Sequence, residues 1–171
     1  SYDFTITKIS WAGTKILAGT YFGGSGQDGV GADRSVTPVD DFPLLYNYAD
    51  EFRGEIITDN KTIYVCGVTY SNDFPQTVGS RIRTVEEDGT VFSLTGDLKS
   101  LNWSQVIGDE DKYHDAIYGI ALGKNNDLYA AGGTNSRGLK SQFTGVWQND
   151  FIGDVDGILL RFDAKNGILL S

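Results

Sequence analysis

Short apolar runs separated by polar, glycine-rich turns recur along the chain, and no long window shows the spacing of an amphipathic helix. The clearest instance is Gly54-Glu55-Ile56-Ile57-Thr58-Asp59-Asn60-Lys61-Thr62-Ile63-Tyr64-Val65-Cys66-Gly67-Val68-Thr69-Tyr70-Ser71, two apolar strands joined by a polar turn. Moved forward by 65 positions it falls, without a gap, on the stretch from Gly119 to Ser136. Asn60 then matches Asn125, Tyr64 matches Tyr129, Gly67 matches Gly132, and Thr69 and Ser71 match Thr134 and Ser136. An ungapped match of this kind marks an internal repeat.

Three further stretches open alike, each with an acidic residue before a six-residue apolar-rich strand: Asp3 to Ile9, Asp88 to Leu94, and Asp156 to Phe162. A second strand follows each, at Lys15 to Tyr21, Leu101 to Ile107 and Ile168 to Leu170, with turns such as Ala12-Gly13 and Asn166-Gly167 between. The opening acids are expected to make local turn hydrogen bonds that set the strand's entry. Four strands per unit result. Unit one spans 3–71 with an inserted loop at 28–53, unit two spans 88–136, and a third begins at 156–171. Ile56-Ile57, Ile63-Tyr64-Val65 and Ile158-Leu159-Leu160 are apolar at successive positions, the pattern of a sheet covered on both faces. The expected fold is therefore all-β: four-stranded antiparallel sheets packed face to face, as in the blades of a β-propeller, with about two and a half units present. An incomplete ring leaves open faces, so the rest of a longer chain is expected to close it.

Composition agrees with a folded β protein. Apolar residues make up 40% of the 171, and 22 glycines against three prolines suit many tight turns. A net charge of −9 would repel a phosphate backbone, which argues against a nucleic-acid partner, and no stretch reaches the ~20 apolar residues of a membrane span. Cys66, the single cysteine, sits in an apolar run and reads as a small core residue, not a reactive thiol.

Thr20-Tyr21-Phe22-Gly23-Gly24-Ser25-Gly26-Gln27-Asp28 resembles the T-Y-L-G-G-S-G-x-D signature of the bacterial SBBP (seven-bladed beta-propeller) repeat family. Ile63 to Pro75 is similar to the segment that follows the signature in that family, Gly145-Val146-Trp147-Gln148 to its later G-A-Y-Q, and Asp156 to Phe162 to the strand that restarts its repeat. Two departures stand out: the insertion, and Gly108-Asp109-Glu110-Asp111 in place of the Gly-Gly-Ser-Gly motif. The resemblance implies a propeller segment of a large secreted or cell-surface bacterial protein. Its implied role is non-enzymatic, binding a protein or glycan through blade-end loops as an adhesin or a part of gliding and type IX secretion assemblies. The alternative is a carbohydrate-active enzyme, or a propeller accessory to a catalytic domain elsewhere.

Candidate chemistry is sparse. His114, the only histidine, reads as an exposed loop residue, and no Gly-x-Ser-x-Gly elbow is present, so no catalytic residue is assigned. One histidine and one cysteine rule out a zinc site of the usual kind. Asp109 with Asp111, and Asp154 with Asp156, form short acidic loops of the hard oxygen ligands that calcium prefers, though without EF-hand spacing; the default for them is solvated turn acids. The insertion carries Phe42, Tyr46, Tyr48 and Phe52, aromatic content suited to anchoring a partner or to folding back on the sheet edge.

Overall fold

The computed structural model describes residues 3–29, 54–59, 61–79, 87–109, 114–139, 145, 147, 150, 152–153 and 155–171. Among these the regular structure is all strand: β1 (Phe4–Ile9), β2 (Ile16–Phe22), β3 (Glu55–Thr58), β4 (Thr62–Thr69), β5 (Asp88–Thr95), β6 (Leu101–Ile107), β7 (Asp115–Leu122), β8 (Asp127–Thr134) and β9 (Asp156–Asp163). They form sheets β1-β2, β3-β4-β5-β6 and β7-β8-β9, every pairing antiparallel between sequence neighbours. No described sheet closes into a barrel. The four-stranded sheet takes the second half of the first sequence unit and the first half of the second, so the sheets are offset from the sequence repeat by two strands.

Registers repeat from sheet to sheet. Phe4↔Phe22 through Ile9↔Ile16 in β1-β2 becomes Gly89↔Ile107 through Leu94↔Leu101 in β5-β6 at a constant shift of 85, and the irregularity after Lys8 recurs after Ser93. Likewise Thr62↔Thr95 through Thr69↔Asp88 matches Asp127↔Asp163 through Thr134↔Asp156. The insertion enters at a definite point of this scheme. Asp28 bridges Thr69, the Gly29 N–H donates to the Val68 carbonyl at 2.9 Å, and pairing resumes with Glu55↔Cys66. In β7 the same place, between Ile117 and Gly119, carries a bulge. Residues 30–53 therefore leave and rejoin where the sheet already tolerates an extra residue.

The core lies on both sides of the four-stranded sheet. On one side Tyr64, Cys66, Val91 and Trp103 pack with Ile117, Leu128, Leu160 and Phe162 of the three-stranded sheet. On the other, Val65, Phe92, Leu94 and Val106 meet Phe4 and Ile6 of β1, with the Phe92 ring 5.1 Å from Phe4 and 4.3 Å from Phe22. Double coverage explains the continuous burial of Tyr64 to Thr69, Asp88 to Leu94 and Trp103 to Ile107, and meets the expectation for Tyr64 and Val65. The same expectation fails for β3, where Ile56 is 55% exposed, and for β9, where Leu159 is 71% exposed between half-buried Ile158 and buried Leu160, because among the described residues each of these positions lies on an uncovered face. Ile168 to Leu170 do not form a full strand, but the segment lies antiparallel along β9: Leu169 bridges Phe162, the Asp163 N–H donates to the Ile168 carbonyl at 2.9 Å, and the Leu170 N–H donates to the Arg161 carbonyl at 2.7 Å. Gly13 and Gly167 do make the predicted turns, with φ of 69° and 72°.

Candidate functional site

A row of acids and hydroxyls runs along one end of the strands. Thr69 lies between Asp28 and Asp88 across three neighbouring strand positions, and Thr134 lies in the same way between Asp115 and Asp156. Strand pairing fixes this placement, because the acid that opens β5 or β9 falls opposite the last residue of β4 or β8. Glycines join one row to the next. A Cβ on Gly23 would lie 2.5 Å from Asp28 Oδ2 and 3.1 Å from Asp3 Oδ1, and one on Gly108 would collide with Asp88 and lie 3.1 Å from Asp115 Oδ2. Only glycine lets the two acids approach there.

Asp28 and Asp115 are each held by a Thr-x-Ser element. The Thr69 hydroxyl donates to Asp28 Oδ1, the Ser71 hydroxyl donates to Oδ2 at 2.8 Å, and the Gly24 N–H adds a third bond to Oδ2 at 2.7 Å. In the next unit the Ser136 hydroxyl donates to Asp115 Oδ2 at 2.6 Å. Both serine amides donate back to the threonine oxygen at 2.9 Å, Ser71 to Thr69 and Ser136 to Thr134. Thr69, Ser71, Thr134 and Ser136 were visible as repeat matches, but their acids were not, since Asp28 and Asp115 lie 87 positions apart, not 65.

Gly108-Asp109 lies at the position of Gly23-Gly24 at the register shift of 85, and a corresponding loop-to-loop bridge forms there. In unit one the Ser25 N–H donates to Asp73 Oδ1 at 2.6 Å. At the shifts of the repeat, Gly138 stands where Asp73 does, and Asp109 where Gly24 does. The Gly138 N–H donates to Asp109 Oδ2 at 2.9 Å, so the acid has changed sides of the same loop-to-loop bridge.

Of the proposed calcium ligands, Asp109 is thus engaged with a backbone amide, and Asp156 Oδ2 accepts the Ile152 N–H at 2.7 Å, a local turn bond of the kind expected for an opening acid. Asp111 and Asp154 lie outside the described residues, as do Phe42, Tyr46, Tyr48 and Phe52. Among the described residues no three His, Cys, Asp or Glu side chains are grouped to hold a metal.

His114 is not the exposed loop residue the sequence suggested. It is 8% exposed, its N–H donates to Asn135 Oδ1, and its carbonyl accepts the Asn135 N–H at 3.1 Å. Nδ1 lies 3.7 Å from the buried Glu87 carboxylate. Burial raises the Glu87 pKa, opposed by His114, and pushes that of Asp115 up to about 7 against its bonds to Ser136 and Thr134. Cys66 is buried as expected, and burial pushes its thiol up to about 12, which leaves it unreactive at neutral pH.

Chemically, both Asp28 oxygens and Asp115 Oδ2 are engaged in cross-linking loops and strands, and the Thr69, Ser71 and Ser136 hydroxyls donate to these carboxylates. Asp28→Ala should cost roughly 2–4 kcal/mol, because two hydroxyls and an amide lose a buried acceptor. Urea denaturation against the exposed-turn variant Asp97→Ala checks this; equal midpoints would show that the clamp contributes nothing.

A comparison with known protein families finds no match for this chain, and one with curated proteins finds none either.

Proposed function

We propose that the chain supplies consecutive blades of a β-propeller and works without catalysis, as an interaction module of a large secreted or cell-surface bacterial protein. Its partner is a protein or a glycan, held by the loops at the blade ends, where such scaffolds place recognition. The observation that carries the reading is the repetition of register between successive sheets, with the middle sheet covered on both faces. Stacked four-stranded antiparallel units of identical register are what a propeller requires. The motif Thr20 to Asp28 and its resemblance to the SBBP repeat support the localisation.

Binding and turnover separate the reading from an enzymatic one. The protein is passed over a glycan array and over immobilised envelope proteins, and the same glycans are assayed for release of reducing ends. Retention without product is expected. Turnover that is lost in Asp109→Asn would replace the binding module with a hydrolase.

Calcium is tested apart from this. Because Asp109 and Asp156 each accept a backbone N–H, EDTA followed by added calcium is expected to leave Tm unchanged. A Tm that rises with calcium by several degrees would put an ion at these loops.

A further inference from the structure

Among the described residues the first sheet has two strands where the second has four, and the register shows which two it has. At the constant shift of 85, β1 and β2 coincide with β5 and β6 in all six residue pairs and in the position of the irregularity. In the full sheet, β5 pairs on its other edge with β4, the second strand of a hairpin; β9 pairs in the same way with β8. Among the described residues β1 pairs with β2 alone. Its other edge is thus the place that a hairpin fills twice elsewhere in this chain.

The turn beside β1 supports the same conclusion. In the completed sheets the residue after the third strand's capping residue donates its N–H to the turn of the neighbouring hairpin: Gly96 to the Lys61 carbonyl at 2.6 Å, and Ala164 to the Asn126 carbonyl at 2.9 Å. The corresponding residue of the first sheet is Trp11. Ala164 is 1% exposed, whereas Trp11 is 105% exposed. A fully exposed tryptophan beside a strand edge that no described residue pairs is the surface that β-strand addition uses, with main-chain bonds along the edge and side-chain contact at its end.

We propose that the free edge of β1 docks a two-stranded β-hairpin of this same repeat, supplied by a polypeptide segment other than the two hairpins already placed. The hairpin's second strand runs antiparallel to β1, with a threonine opposite Asp3 as Thr69 stands opposite Asp88 and Thr134 opposite Asp156. Its turn carbonyl accepts the Trp11 N–H, and its turn covers the indole. The proposal rests on the stacked-blade reading and adds the occupant and its register.

A graft tests it. Residues 114–155, a β7-β8 hairpin with its natural connection to a third strand, are placed ahead of Asp3 in the otherwise intact chain. The expected results are a blue shift of Trp11 emission, read against the same graft in Trp11→Phe, and at least tenfold slower hydrogen exchange at the edge-facing amides of β1. A graft with prolines in its second strand should give neither. If emission and exchange at β1 do not change while β4, β5 and β6 remain protected, the docking proposal is wrong and the stacked sheets stand. If β4 to β6 exchange as freely as β1, the stacked-sheet reading fails, and the docking proposal with it.

Discussion

Trp103→Ala is expected to destabilise the protein by about 3–5 kcal/mol. Its side chain is among the largest that are fully buried, at 1% exposure, and lies where the four-stranded sheet meets the three-stranded one. The ring stacks on Phe162 with centroids 6.3 Å apart, and its Nε1–H donates to the Ala164 carbonyl at 2.8 Å. Truncation therefore opens a cavity between two sheets and leaves a buried carbonyl without its donor. Gly167 carries no side chain where a Cβ would collide with the indole, so that turn is shaped around Trp103 and has little scope to collapse into the space. For a chain of 171 residues the loss corresponds to a Tm lower by roughly 6–20 °C. Trp103→Phe should keep an aromatic contact with Phe162 while losing the hydrogen bond and part of the buried ring volume, at about 1–3 kcal/mol. Trp11→Ala, at a fully exposed indole, should change stability by less than about 0.5 kcal/mol. Thermal unfolding of the three variants gives the comparison, and a Trp103→Ala protein as stable as Trp11→Ala would mean that the two sheets do not pack through this residue.

The strands and turns were legible because strand, turn and strand are local: Leu101 to Ile107 is a strand as predicted, and Gly13 and Gly167 turn where the chain must take positive φ. Coverage of both faces was legible only where it exists. Ile158-Leu159-Leu160 reads like Ile63-Tyr64-Val65, yet Leu159 faces outward, since an apolar run does not reveal whether a further sheet lies beyond it. The clamp was half legible. Thr69 and Ser71 repeat as Thr134 and Ser136 at 65, but Asp28 reaches Thr69 from 41 residues away, and the insertion removes its counterpart from that register. His114 was misread for the same reason. Its neighbours Tyr113 and Asp115 suggest a wet loop, whereas its burial comes from Glu87 and Asn135, both more than 20 residues distant. Contacts of that range leave no local pattern. Strand register, once known, recovers them.

Stability should fall as pH rises from about 4 to 7, and Asp115 should account for much of the fall. Its carboxyl is wholly buried, and burial pushes its pKa up to about 7, with the charge of Asp109 acting in the same direction and bonds from Ser136 and Thr134 and the nearby His114 acting against it. Asp88 lies across Gly108 on the same side, so a second acid faces the group. The unfolded chain gives up this proton near the ordinary aspartate value of about 4, while the native chain holds it to about 7. Between those values the native state binds more protons than the unfolded state, so stability decreases with pH; below about 4 both forms are protonated and the term vanishes. Three pH units at about 1.4 kcal/mol each give a loss of the order of 4 kcal/mol, complete above pH 7. Glu87, also raised by burial, contributes with the same sign. Asp115→Asn keeps an acceptor for the Ser136 hydroxyl and cannot ionise, so its unfolding free energy should be much flatter over this window, with the difference from the parent protein widening steadily from pH 4 to 7. Urea denaturation at half-unit pH steps measures both curves. Parallel curves would mean that Asp115 titrates as it does in water, and that the acid row at the strand ends is open to solvent instead of sealed by the loops that cross it.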